Sequence, residues 1–203
     1  MHGCTRSYFV PHNNLKGPLP FEASHSLALE KAMPFQITPR RTIVQKELYF
    51  HLYLKRVSAK PNTNQKTVLE SKEPLDFGKL IDTDWPIYDG RDPKSNLVAR
   101  LQGLHAATGK VKVGWHASVT VVLEGGSFKG STLHLMGTSI GSKEWAIVGG
   151  TGEFTLAQGV MYTGKTHTIP DVGYYLELEF RALYTPMKKG PAANGGNSWT
   201  LGV

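Results

Sequence analysis

Alternation of apolar and polar residues begins near Ile43 and runs through most of the chain. Leu48, Phe50, Leu52 and Leu54 share one face of a candidate strand, and Tyr49, His51, Tyr53 and Lys55 share the other. Successive side chains of a strand point to opposite faces, so this period of two predicts a half-buried antiparallel strand. The period returns at Ala117, Val119, Val121 and Leu123 against His116, Ser118 and Thr120. It returns again at Tyr174, Leu176, Leu178 and Phe180 against Tyr175, Glu177, Glu179 and Arg181. Shorter candidates lie at 77–82, 97–106, 132–137, 145–148 and 153–162. Turn chemistry separates them at Lys60-Pro61-Asn62-Thr63-Asn64, Asp89-Gly90-Arg91-Asp92-Pro93, Glu124-Gly125-Gly126 and Ile169-Pro170-Asp171. Short strands without intervening helices favour an all-β closed barrel or a sandwich, because closure removes exposed strand edges.

The flanks lack this pattern. In residues 1–42, Pro11, Pro18, Pro20, Pro34 and Pro39 interrupt every candidate element, which predicts an irregular arm. One short helix is expected there, from an N-cap at Ser24 to Met33, stopped by Pro34. Residues 188–203 are dominated by Gly, Asn and Ala with little to bury, and a disordered tail is expected. The chain thus divides into an arm (1–42), a barrel (43–187) and a tail (188–203).

Composition narrows the class. A length of 203 residues with 40% hydrophobic residues suits one packed domain. The 22 Gly and 12 Pro fit a turn-rich β protein better than a helical bundle. No run approaches the ~18 apolar residues of a transmembrane helix, so no membrane partner is expected. The start, Met1 to His12, lacks the basic and apolar regions of a secretory signal. A single cysteine, Cys4, and the absence of any Asn-x-Ser/Thr agree with a cytoplasmic location for the chain as written. Net charge is +7, but residues 1–60 hold nine Lys/Arg against three acids while the remainder holds 14 against 13. With no dense basic run or reading motif, nucleic acid is not an expected partner.

Chemistry is harder to place. The eight histidines show no ligand spacing, so no metal or cofactor is expected, and His105, His116 and His134 read as surface or wall residues of strands. Gly149-Gly150-Thr151-Gly152 is not followed by the Lys-Ser/Thr of a phosphate loop and reads as a tight glycine turn. No Gly-x-Ser-x-Gly nucleophile elbow exists. Asp82, Asp84 and Asp89 lie beside Trp85 and Tyr88, a grouping suited to a barrel mouth where an acid protonates a phenol-like ligand. The alternative is a set of solvated turn acids that cap local backbone.

Three segments, taken in order, resemble the plant dirigent family between about Ile43 and Met187. The stretch Val148-Gly149-Gly150-Thr151-Gly152-Glu153-Phe154 through Ala157-Gln158-Gly159 is similar to the glycine-turn signature V-G-G-T-G-x-F-x-x-A-R-G. Val98-Ala99-Arg100-Leu101-Gln102-Gly103 resembles its V-G-R-A-Q-G strand, and Phe77-Gly78 with Asp84-Trp85-Pro86-Ile87 stands where F-G and D-D-P-L-T occur. Gly190-Pro191-Ala192-Ala193-Asn194-Gly195-Gly196-Asn197 resembles the opening of a jacalin-type lectin domain, as in grass fusion proteins that join the two, with the lectin cut short.

The resemblance implies an eight-stranded antiparallel barrel that assembles as a homo-oligomer, trimer or dimer. It implies a phenolic small-molecule ligand, a monolignol-derived radical or quinone methide, whose coupling face the barrel fixes. Oxidation falls to a separate laccase or peroxidase, so the chain is a stereodirecting auxiliary without a cofactor. Many relatives act in the apoplast, the alternative location if a leader precedes this sequence. Candidate catalytic residues are Asp84 and His51, and candidate ligand-binding residues are Phe50, Leu52, Leu54, Trp85, Arg100 and Gln158, with Gly149, Gly150 and Gly152 as the structural turn. Two departures predict weakened steering: Leu52 stands where coupling-competent members carry an acid after the histidine, and Gln158 replaces the arginine of A-R-G. A rival reading is a non-enzymatic defence or stress protein that acts by binding a ligand or partner. A working lectin is not expected, since its sugar-site loops would lie later.

Overall fold

Where the alternation is strongest, the chain forms long ladders. The computed structural model describes residues 44–138, 143–191 and 197–201. Its strands are β1 (Lys46–Val57), β2 (Gln65–Leu69), β3 (Leu80–Tyr88), β4 (Leu97–Ala107), β5 (Trp115–Leu123), β6 (Thr132–Thr138), β7 (Glu144–Thr151), β8 (Gln158–Ile169), β9 (Gly173–Tyr184), β10 (Met187–Pro191) and β11 (Asn197–Leu201). Nine of them form one antiparallel sheet in the order β1-β9-β8-β7-β6-β5-β4-β3-β2. Pairing of β1 with β3, through Tyr53 with Tyr88 and Leu54 with Ile87, closes eight strands into a barrel and leaves β2 attached outside the ring. This is the eight-stranded barrel expected from the sequence, with one additional strand. Three short 3-10 helices, Pro74–Asp76, Gly126–Phe128 and Gly152–Phe154, interrupt it.

Two strands are displaced from their expected places. The segment expected at 77–82 forms β3 at Leu80–Tyr88, carrying Pro86 inside a strand. That proline is tolerated because β3 pairs with β2 only through Leu80–Thr83 and with β1 only through Ile87 and Tyr88. Pro86 sits in the gap between the two, where the missing N–H loses no ladder bond on that side. The segment expected at 153–162 begins instead at Gln158, because Phe154, fully buried, lies in a 3-10 turn ahead of it. After the barrel, β10 and β11 pair as a two-stranded sheet, where composition alone predicts disorder. Backbone pairing needs little apolar mass, so the composition gave no sign of it. The arm and the helix expected at Ser24–Met33 lie outside the described residues.

The interior is divided in two. At one end Phe50, Phe128, Phe154, Phe180 and Tyr184 form a continuous aromatic cluster, with ring centroids 5.0 Å apart for Phe128–Phe154 and 5.3 Å for Phe154–Tyr184. Edge-to-face contacts such as Phe50–Phe180, at 6.3 Å and 72°, pack the rings of this end against one another. Leu133, Leu135, Ile147, Met161 and Leu178 continue the core. The glycine turn beside the plug divides its roles: Gly152 has φ +66, and a Cβ on Gly150 would collide with the carbonyl oxygens of Thr132 and Phe154. Gly149 has open space around its Cβ position, so only the other two are sterically required.

Candidate functional site

Past the plug the barrel opens into a cavity of about 480 Å³. Its walls come from the opposite ends of the same strands. Leu54 and Arg56 enter from β1, Thr83 and Trp85 from β3, Leu101 and His105 from β4, and Trp115 from β5. Trp145 on β7, Met161 and Thr163 on β8, and Tyr174, Leu176 and Leu178 on β9 complete the ring, with Gln65 of β2 reaching in from outside it. The volume matches a single drug-sized aromatic ligand, and the mostly apolar lining with few polar groups is the usual composition of a small-molecule site.

The polar groups are few and gathered. Arg56 donates from Nη1 to the hydroxyl of Tyr174 at 2.9 Å. Its guanidinium lies over the rings of Trp85, at 5.8 Å, and Tyr174, at 5.6 Å. Trp85 in turn contacts the His105 ring at 5.0 Å, and His105 contacts Trp145 at 5.8 Å. Three buried polar atoms have no hydrogen-bond partner among the described residues: Arg56 Nε, Trp85 Nε1 and His105 Nε2. All three belong to residues that line the cavity. Buried polar atoms are nearly always paired, so these three, two of them donors and one an imidazole nitrogen that donates or accepts by tautomer, are the wall groups open to a ligand or water. Burial, and then the neighbouring Arg56 charge, lower the His105 pKa to about 4, which keeps the imidazole neutral at pH 7.

The sequence-derived candidates divide between the two faces of the wall. Leu54 and Trp85 line the cavity. Phe50 belongs to the plug, and Leu52, half-buried, packs on the core between plug and cavity. The structure places the remaining four away from the cavity lining. His51 points outward from β1, exposed and stacked beside Tyr53 at 5.2 Å. Asp84 is adjacent to Trp85, so strand alternation turns it away from the cavity. On the outer face it accepts two bonds from Arg100, at 2.7 Å each, and one from Gln102. The Arg100 bonds hold its carboxyl below the ordinary range, which suits a fixed anion and not a proton donor. Arg100 is thereby a surface partner, and Gln158 is exposed at the start of β8. Asp82 is exposed as well, while Asp89 closes its own loop by accepting from Asn96.

Sequence reasoning missed Arg56, Trp115, Trp145 and Tyr174. Arg56 continues the inward even-numbered face of β1 beyond Leu54, but a charged residue ends an apolar pattern and carries no periodic signal of its own. No residue lining the cavity is Asp or Glu.

The chain matches the family described as "Dirigent-like protein" over residues 47–182. It is 28% identical to Dirigent protein 11 of Arabidopsis thaliana over 169 residues, covering 78% of this chain and 83% of that protein. Dirigent protein 23 of the same plant is 32% identical over 147 residues, covering 70% and 77%. Pterocarpan synthase 1 of Glycyrrhiza echinata is 31% identical over 123 residues, covering 57% and 65%. Among solved structures, the pterocarpan synthase dirigent protein PsPTS1 is 26% identical, with a TM-score of 0.57 over 68% of this chain and 94% of that one. GePTS1, at 24% identity and a TM-score of 0.62, shares the fold over 78% and 98%. Barrel, segment order and relatives agree: the chain belongs to the dirigent-like protein family.

Proposed function

We propose that the barrel captures a phenolic radical or quinone methide in its tryptophan-walled cavity and fixes the face on which that ligand couples or closes a ring. The observation that carries this reading is the orphaned set Arg56 Nε, Trp85 Nε1 and His105 Nε2 on the wall of a 480 Å³ aromatic cavity. An aromatic ring against these tryptophans with one oxygen at those atoms would be held at two points, which restricts its orientation. Orientation alone contributes to selectivity, since holding reactants in register needs no proton transfer. Kinship with proteins named dirigent protein and pterocarpan synthase supports the reading. Oxidation is assigned to a separate laccase or peroxidase, and a homo-oligomer is the expected assembly.

Coniferyl alcohol oxidised by an added laccase, with and without this protein, tests the proposal by chiral separation of the dimers. Enantiomeric excess in the presence of the protein is the expected result. The absence of any Asp or Glu from the lining favours a second reading, a ligand-binding stress or defence protein without steering. Saturable binding with a racemic product would select that second reading.

A further inference from the structure

Arg56 differs from the other arginines among the described residues. Arg100 is paired with Asp84, Arg181 with Glu179, and Arg91 bonds His167 on the surface. Arg56 has only the neutral hydroxyl of Tyr174, and its Nε is buried without a partner. No carboxylate lines the cavity that holds it. Arg56 is half-buried, with its Nε withdrawn from water and no carboxylate among the described lining residues, so an anion arriving from outside would gain a charge-assisted partner. The guanidinium is already held between the Trp85 and Tyr174 rings, so little side-chain freedom remains to be lost on binding.

Resting on the reading of the cavity as a phenolic site, we propose that its preferred ligand carries a carboxylate: an aromatic acid of hydroxycinnamate type, with the acid group on Arg56 and the ring among the tryptophans. Trp85 Nε1 supplies a second donor, and contacts that run from Arg56 through Trp85 to His105 put the donors on one stretch of wall. A carboxylate offers two oxygens to this set, and bonds between charged partners are roughly twice as strong as neutral ones. A side-chain alcohol offers one weak acceptor.

Three probes share the 4-hydroxy-3-methoxyphenyl ring and differ at the chain terminus: ferulate, its methyl ester, and coniferyl alcohol. Binding to the full chain is followed by quenching of tryptophan fluorescence at pH 7. Ferulate is expected to bind at least tenfold more tightly than the ester or the alcohol, and Arg56→Gln to bring ferulate down to the level of the ester. Equal affinity for all three, or a preference for ferulate that survives Arg56→Gln, would overturn the proposal while leaving the phenolic site intact. Should Arg56→Gln fail to fold, the acid-against-ester comparison in the unmodified chain decides alone. If none of the three binds, the phenolic reading of the cavity falls with it.

Discussion

A histidine whose pKa falls from 6.5 to about 4 on folding ties the stability of the whole barrel to pH. The folded state of His105 favours the neutral ring, so its contribution is complete above pH 6.5. As pH falls from 6.5 towards 4, the unfolded chain takes up a proton that the folded chain refuses, and stability is lost. The full loss is on the order of 3 kcal/mol. Urea denaturation of the parent and of His105→Gln between pH 7 and pH 4 should therefore diverge, with the variant showing the shallower decline. A carboxylate bound at Arg56 would offset the second cause of the depression and raise the His105 pKa, which its imidazole NMR signals can follow. On the outer face, Asp84 is half exposed and paired. Asp84→Asn should cost no more than about 1 kcal/mol and leave ligand binding unchanged, a result that equilibrium unfolding and fluorescence titration check together.

At the scale of the strand, alternation decides which neighbours can cooperate. Leu52 pairs with Leu178 on β9, while Gln158 on β8 pairs with Leu183. The two positions are therefore separated by roughly 17 Å along the ladder and lie on opposite faces. Leu52→Asp places an unpaired carboxylate against the core and should cost about 2–4 kcal/mol, and Gln158→Arg should be close to neutral. The double variant should be no more stable than Leu52→Asp alone, because sites this far apart add without coupling. Thermal unfolding of the three variants shows whether it is. The long strands were legible because Leu48 to Leu54 and Tyr174 to Phe180 keep a strict period of two. Trp85 was legible as a wall residue, but its sequence neighbour Asp84 was carried along with it, although neighbours on a strand face opposite ways. Arg56 and Tyr174 escaped because only the closed ring shows that the far ends of β1 and β9 meet in one cavity. The strand β2 escaped because Gln65-Lys66-Thr67 has no apolar face of its own to read.

In the whole molecule, the plug gathers five aromatic rings at one end of the barrel. Phe154 is fully buried and touches Phe50, Phe128 and Tyr184. Phe154→Ala should cost about 3–5 kcal/mol, read from the urea midpoint. Gly150→Val, beside it, should destabilise through collision with the backbone of Thr132 and Phe154, and a variant as stable as the parent would show that the turn can shift aside.

The same plug occupies one end of the barrel interior and the cavity lies beyond it. With the plug on one side, a ligand bound among the described lining residues would arrive and depart on the side away from it, so reactant and product of the proposed coupling would share that route. In the proposed reaction a coupled dimer, larger than either half, would block the next arrival until it departs. Under the proposed function, steering would be bound to a residence time: the grip that fixes the reacting face would also slow the exit, and crowding with product should erode selectivity by sending later couplings into bulk solution.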